Sequence, residues 1–204
     1  MTGHPVFAAL YDRMNGAAER EIFAPLRARL LADLPGVVLD VGAGTGANLP
    51  HFRAATRVHA VEPDPAMRTR LTAKLDQAAV PVDVTAAPAE TLPFADAAVD
   101  AVVFTLVLCS VADQAKTLAE ARRVLKPGGR LAVLEHVRNT GGHARWQRLA
   151  TPLCIWLAGG CHPNRDTPTA IEQAGFTFEE REILDPLPKI VPTRPWLYAT
   201  ASVR

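Results

Sequence analysis

Cysteine is scarce in this sequence, and the little there is forms no framework. The three cysteines, Cys109, Cys154 and Cys161, contain no C-x-x-C pair, and an odd number cannot be fully paired within one chain. They are expected to be reduced thiols in a cytoplasmic protein. The six histidines are scattered without an i, i+4 pair, so no metal spacing stands out and no metal is expected. A Cys161–His162 metal pair is disfavoured, because two adjacent ligands lack companions. Charge of one sign is also lacking: 22 basic and 21 acidic residues leave a formal net charge of +1. That balance speaks against a nucleic-acid partner, which usually demands a basic footprint. Long hydrophobic runs are missing too. The longest uncharged stretch, Leu149 to Asn164, is shorter than the roughly 18 apolar residues that span a bilayer. It is expected to be a buried helix or an apolar pocket wall built from Trp146, Leu153, Ile155 and Trp156. The first residues hold too short an apolar run for a leader and carry Asp12.

What is present suits one α/β domain. The 204 residues, 49% of them hydrophobic, suffice for a single self-standing core. Residues 1–204 are read as one domain, with 1–34 a candidate helical lid and 138–168 a candidate substrate-side insertion. Leu26, Leu30, Leu31 and Leu34 recur at helical spacing before Pro35–Gly36 stops them. Short apolar strands are expected at 37–41, 57–62, 80–84, 99–104 and 131–134. Helices are expected at 66–77 and 113–125. Strands buried on both faces and separated by helices predict a parallel sheet of Rossmann-like type. After a short helix at 169–174 the pattern changes. Phe176 to Leu184 and Trp196 to Val203 read as strands with no helix between them, so they should pair antiparallel. The expected fold is a mainly parallel seven-stranded sheet, with an antiparallel strand near its C-terminal end and helices on both faces.

The turn from Val38 to Asn48, VLDVGAGTGAN, is the most informative segment. Gly42, Gly44 and Ala47 satisfy a relaxed dinucleotide fingerprint. Two carboxylates argue for a different ligand. Asp40 should lie at the carboxyl end of its strand, facing the ligand crevice, where it would repel a pyrophosphate and attract an ammonium group. Glu62 ends the next strand and can accept hydrogen bonds from both hydroxyls of a ribose. The pair favours a nucleoside with a cationic tail, of which S-adenosylmethionine (SAM) is one.

With Glu62-Pro63, Ala89-Glu90-Thr-Leu-Pro-Phe94, Val99-Asp-Ala-Val-Val103 and Arg123-Val-Leu-Lys-Pro-Gly-Gly129, the turn resembles the class I SAM-dependent methyltransferases of the type-11 kind over residues 36–136. The resemblance implies a methyltransferase of the EC 2.1.1 class with SAM as cofactor. Gly42, Gly44 and Gly46 would let the backbone approach its methionine part, with Asp40 holding the ammonium group and Asn48 a further cofactor-binding residue. Glu62, beside Pro63, would bind the ribose, and Met67 would pack near the adenine. Ala89 and Glu90 mark the adenine side. The acidic residue that precedes this pair in many relatives is Pro88 here, so the adenine contact has another source. Glu90 itself reads more as a structural residue. Thr105 and Leu106 would approach the methionine chain, and Tyr11 resembles a tyrosine that closes over SAM in quinone-type enzymes.

Thr105-Leu-Val-Leu-Cys-Ser-Val111, Glu135-His-Val137, Trp146, Gly160-Cys161 and Arg165 narrow the resemblance further. The set is similar to the membrane-associated thiol S-methyltransferases of vertebrates and their bacterial relatives. It implies S-methylation of a small alkyl or aryl thiol or sulfide by in-line transfer. Those enzymes carry an N-terminal hydrophobic anchor that this sequence does not show, so a cytoplasmic protein without a membrane span is expected. Other small acceptors (a quinone, a phospholipid amine, a specialised metabolite) remain alternatives, as does a SAM-binding module without turnover. A free thiol is only a few per cent ionised at neutral pH, so a base near the acceptor would help. His136, at the end of the fifth strand, is the candidate general base; strand capping or a bond to Glu135 is its structural alternative. Cys109 and Cys161 are further candidate pocket residues, with an ordinary buried thiol as the alternative for each. Arg165 is expected to meet an anionic acceptor or to form an ordinary ion pair.

Overall fold

The computed structural model describes residues 19–157, 160–188 and 190–203. Seven strands form one sheet: β1 (Gly36–Val41), β2 (Ala55–Val61), β3 (Val82–Thr85), β4 (Val99–Thr105), β5 (Leu125–His136), β6 (Phe176–Leu184) and β7 (Trp196–Val203). Their order is β3-β2-β1-β4-β5-β7-β6. Strands β1 to β5 pair in parallel, and β7 runs antiparallel to both β5 and β6. The expected antiparallel strand is therefore β7, inserted between β5 and β6 rather than at the edge. The helices are α1 (Ala24–Leu31), α2 (Pro65–Thr72), α3 (Gln114–Val124), α4 (Gly141–Leu157) and α5 (Thr167–Gln173). A π-helical turn, Glu19–Phe23, leads into α1.

Alternation along each strand sorts the core into two layers. Leu39 and Val41, Val102 and Phe104, Leu131 and Val133, and Leu197 and Ala199 face one side, where Leu118, Ala121 and Val124 of α3 and Ile171 of α5 cover them. Val38, Ala101 and Val103, Ala132 and Leu134, and Trp196 and Tyr198 face the other, under Phe23, Leu30 and Leu31. The α1 end is held by aromatic contacts. Phe23 stacks on Trp196 at 4.1 Å between centroids, and the Arg29 guanidinium lies 4.4 Å above the Tyr198 ring.

Two expected elements differ. The helix foreseen at 66–77 ends at Thr72, followed by a 3-10 turn at Leu75–Gln77. The fifth strand starts at Leu125, because the Lys-Pro-Gly-Gly segment stays in the sheet through an irregularity between Val99 and Ala101 of the neighbouring strand. The larger correction concerns α4. Leu149 is 78% exposed, Leu153 58% and Trp156 80%, and Trp146 and Ile155 also reach solvent. The buried residues of this helix are Gln147, Ala150, Thr151 and Cys154, at i, i+3, i+4 and i+7. The proposed apolar wall is thus the outer face, because the smaller, more polar side turns inward, where Gln147 Nε2 donates to Val137 O and Pro163 O.

Candidate active site

The sheet order reverses between β1 and β4. In an open α/β sheet the ligand crevice forms outside the carboxyl ends of the strands at that reversal. Asp40 near the end of β1 and Thr105 at the end of β4 flank it. Both are buried and share one polar network. Asn48 donates from Nδ2 to Asp40 Oδ1 at 2.8 Å and to Thr105 Oγ1 at 3.0 Å. Arg27 of α1 donates from Nη1 to Asn48 Oδ1 at 2.6 Å and to Thr105 Oγ1 at 2.7 Å. Its Nε is paired with Glu19 Oε1 at 2.9 Å. Burial pushes the Asp40 carboxyl up to about 7, against the downward pull of Asn48 and Arg27 and with a smaller upward push from Glu62.

The turn after β1 is tied to β2, since Gly42 and Ala43 both donate to Val61 O. Its three glycines do different jobs. A Cβ on Gly42 would lie 2.5 Å from Val107 Cγ2, and one on Gly46 would lie 2.9 Å from Leu49 Cδ1. Among the described residues a Cβ on Gly44 would meet only Gly42 O, at 3.9 Å, so this glycine leaves room beside the crevice. Gly42 therefore serves packing, whereas Gly44 keeps the backbone open. Gly42→Ala should cost about 2 kcal/mol, from left-handed backbone strain (its φ is +68°) and the clash with Val107. Thermal melts should show a midpoint lower by about 6 °C.

Glu62 follows β2. Its Oε2 accepts from Gly44 N at 2.9 Å and its Oε1 from Asp64 N at 2.8 Å. Burial raises its pKa, and those two N–H groups oppose the rise. Each oxygen keeps a second acceptor direction. Asp64 caps α2, placing buried Met67 in its first turn beside Pro63. Ala89 is buried in the core. Glu90 accepts from Ala112 N at 2.8 Å and Asp113 N at 3.3 Å, anchoring the approach to α3. Tyr11 lies outside the described residues.

The residues present fit SAM. Asp40 Oδ2 is buried and takes no hydrogen bond among the described residues, which suits the ammonium group of the methionine part. Gly44 leaves the backbone open beside it, and Glu62 offers acceptors to a ribose diol.

The acceptor end begins four residues after Thr105. Leu106 has φ +62°, so the chain turns sharply out of β4. Buried Glu135 receives the turn, accepting from the N–H groups of Val107 and Leu108 on Oε1 and from Cys109 N on Oε2 at 3.4 Å. Burial lifts the Glu135 carboxyl to about 7, against those N–H groups. The Arg165 guanidinium donates to Leu108 O at 2.6 Å and Val111 O at 2.7 Å. It therefore clamps the 106–111 loop, and among the described residues it forms no ion pair.

His136 ends β5. Its Nδ1 lies 3.4 Å from Cys161 Sγ, and its ring meets Trp196 edge-on at 4.6 Å between centroids. Cys109, His136 and Cys161 converge so that one ligand atom from each lies within 4.8 Å of the others. All three cysteines are free and buried. A hydrogen bond with Cys109 and a second with His136 lower the Cys161 thiol. The same bond with Cys161, then burial, push Cys109 up. Adjacent His162 does not join this group. Its ring bonds Gly160 O through Nδ1, and its N–H donates to Cys109 O at 2.7 Å.

Arg27 and Glu135 are the site residues that sequence reasoning assigned no role. Each had a signal. Arg27 lies three and four residues before Leu30 and Leu31, a charge on a buried helical face. Glu135 follows the apolar run Leu131–Leu134, as Asp40 and Glu62 lie at or just past the ends of apolar runs in β1 and β2.

A crevice at the sheet reversal, with one buried acid near the end of β1 and another just after β2, is the arrangement of a class I SAM-dependent methyltransferase. Residues 39–133 match the family model described as a methyltransferase domain. A SAM-dependent methyltransferase of Thermotoga maritima superposes with a TM-score of 0.68, 20% identity and 98% of each chain covered, which shows the shared fold. Thiol S-methyltransferase TMT1B of Rattus norvegicus is 34% identical over 204 residues, covering 95% of this chain and 81% of the rat protein. The demethylmenaquinone methyltransferase of Renibacterium salmoninarum is 39% identical over 124 residues, or 57% of this chain and 50% of that one. The chain belongs to the thiol S-methyltransferase family.

Proposed function

We propose that the enzyme transfers the SAM methyl group to a small hydrophobic thiol or sulfide. One observation carries the reading. Similarity to thiol S-methyltransferases extends through the acceptor half, which holds Cys161 and Arg165, whereas similarity to the quinone enzyme covers 57% of the chain. In this reading Asp40, Asn48, Gly44, Glu62 and Thr105 hold the cofactor, and Arg27 orients Asn48 and Thr105. Met67, Pro63, Leu106 and Ala89 shape its surroundings, with Gly42, Gly46 and Glu90 fixing the loops. SAM supplies an activated methyl group when bound. The protein's share is then to position the acceptor in line and exclude water. Cys109 and His136 sit where an acceptor sulfur would approach, on the loop after β4 and the carboxyl edge of β5.

The test is S-adenosylhomocysteine release by the purified protein with SAM and a panel of alkyl and aryl thiols and sulfide. Release should require thiol or sulfide, and the methylated product, a methyl thioether from a thiol and methanethiol from sulfide, should appear in equal amount. Release with a quinone acceptor and none with any thiol would overturn the assignment.

A further inference from the structure

The thiol reading leaves open how the acceptor becomes a thiolate. We propose that Cys109, Cys161 and His136 form a three-ligand site for a zinc-class divalent cation, with the fourth position taken by the acceptor sulfur. The inference rests on the thiol assignment for that fourth ligand; the metal site itself rests on geometry.

The three donors are remote in sequence. The loop after β4, the end of β5 and the segment after α4 each contribute one. Two thiolates and an imidazole are a donor set that zinc favours. Zinc–sulfur and zinc–nitrogen bonds of about 2.3 and 2.0 Å at tetrahedral angles place sulfur and nitrogen about 3.5 Å apart. The Cys161 Sγ to His136 Nδ1 distance is 3.4 Å. Two sulfurs on the same ion would lie about 3.8 Å apart, within the 4.8 Å span of the group. Cys161 and His136 already have the spacing of two ligands on one ion, and the 4.8 Å limit on the group leaves at most about an ångström for Cys109 to close.

The surroundings hold these donors in place. Trp196 fixes the His136 ring edge-on. Glu135 and Arg165 clamp the Cys109 loop from two sides. The His162 N–H bond to Cys109 O ties the Cys161 segment to that loop. Rigid support of this kind is what a metal centre requires. Among the described residues no fourth His, Cys, Asp or Glu joins the group. Three protein ligands with one open position are the pattern of catalytic rather than structural zinc.

The chemistry balances without an oxidant. An acceptor thiol binds the metal and loses its S–H proton to solvent. A sulfur lone pair then forms the new carbon–sulfur bond as the methyl–sulfonium bond breaks, its electron pair passing to the S-adenosylhomocysteine sulfur. The neutral thioether is a weak ligand and leaves. The net change is thiol plus SAM cation to thioether, S-adenosylhomocysteine and one proton.

Cobalt is the probe. The reduced full-length protein, stripped with a chelator, should bind one Co²⁺ per chain. It should show thiolate-to-cobalt charge transfer and the intense visible bands of a tetrahedral centre. Adding an alkyl thiol should increase the charge-transfer intensity by a third sulfur. Cys161→Ser should weaken cobalt binding at least 100-fold, with SAM affinity unchanged as the check on folding. Chelation should lower thiol methylation at least tenfold, and one equivalent of Zn²⁺ should restore it. Absence of the cobalt bands in reduced wild-type protein overturns the site, as does full thiol methylation by metal-free enzyme, which leaves the thiol assignment standing. Cobalt bands that ignore added thiol, with no thiol methylated, overturn the acceptor role and the thiol assignment together.

Discussion

Asp40→Asn should weaken SAM binding about 100-fold while leaving the free protein at least as stable as wild type. The substitution keeps size and keeps an oxygen for Asn48 Nδ2, whose bond to Asp40 Oδ1 is 2.8 Å. It removes the charge that faces the ammonium group. Losing one partner of a buried charge pair costs about 2–5 kcal/mol, and 100-fold corresponds to about 2.7 kcal/mol. Stability moves the other way, because a buried carboxylate with an unpartnered Oδ2 is itself a burden on the free protein. Isothermal titration with SAM, run beside thermal melts, separates the two. Equal affinity in the variant would remove Asp40 from the cofactor site.

The same residue sets a pH dependence. Its pKa is raised to about 7 by burial, and its charged neighbours are Arg27 of α1, which lowers it, and Glu62 after β2, which raises it. A cationic ligand prefers the ionised carboxylate, so below pH 7 binding must first release a proton. SAM affinity should rise as pH increases from 5.5 to about 7.5, approaching tenfold per unit at the acid end, and should be nearly flat in Asp40→Asn. The ligand's own amino group titrates near pH 8, which sets the upper limit of the window. The sign for stability is opposite. A carboxyl whose folded pKa is raised contributes stability at low pH that is lost as pH climbs through about 7. A flat SAM affinity in wild type would count against the assignment.

The cofactor half was legible in the sequence because its residues are local. Asp40, Gly42, Gly44, Gly46 and Asn48 lie on one strand–turn unit, and Glu62 ends the next strand, so strand polarity alone brings them to one edge. Strand alternation and the missing crossover helix before Trp196 gave most of the sheet. The proposed acceptor half was legible only in part: His136 and Cys109 stood out singly, but their meeting with Cys161 did not, because it is assembled from three remote segments. Cys109, His136 and Cys161 have no spacing that a motif would catch, and adjacent His162 offered a false partner. Arg165 read as an ion-pair partner or a contact for an anionic acceptor, and it serves two carbonyls of a loop 54–57 residues away. The orientation of α4 was misread for another reason. Leu149, Leu153 and Trp156 recur at helical spacing and favour an inward apolar face, yet the face that turns inward is the smaller set Gln147, Ala150, Thr151 and Cys154.

Glu135 shows how the two halves depend on one carboxylate. The chain leaves β4 at Thr105, a member of the Asp40–Asn48 network, and within four residues reaches Cys109 at the acceptor end. Between them Val107, Leu108 and Cys109 turn their N–H groups inward, where Glu135 is the acceptor. Glu135→Leu would leave three buried N–H groups without that acceptor. At about 1–3 kcal/mol for each orphaned donor, offset by relief of carboxylate burial, the net loss is about 4 kcal/mol. Thermal melts should fall by about 12 °C. Glu135→Gln keeps a carbonyl oxygen for the Val107 and Leu108 donors and places its amide group near the long Cys109 contact, so its midpoint should drop by less than half as much. Function should divide between the halves. Below its own midpoint, Glu135→Leu should bind SAM within about threefold of wild type, because the Arg27, Asn48 and Thr105 contacts persist. Thiol turnover should fall at least tenfold as the Cys109 loop loses its position. Titration with SAM and initial rates on the same preparation distinguish these effects. Unchanged turnover would mean that Arg165 holds the loop alone, while a parallel loss of SAM affinity would mean that the loop supports the cofactor crevice as well.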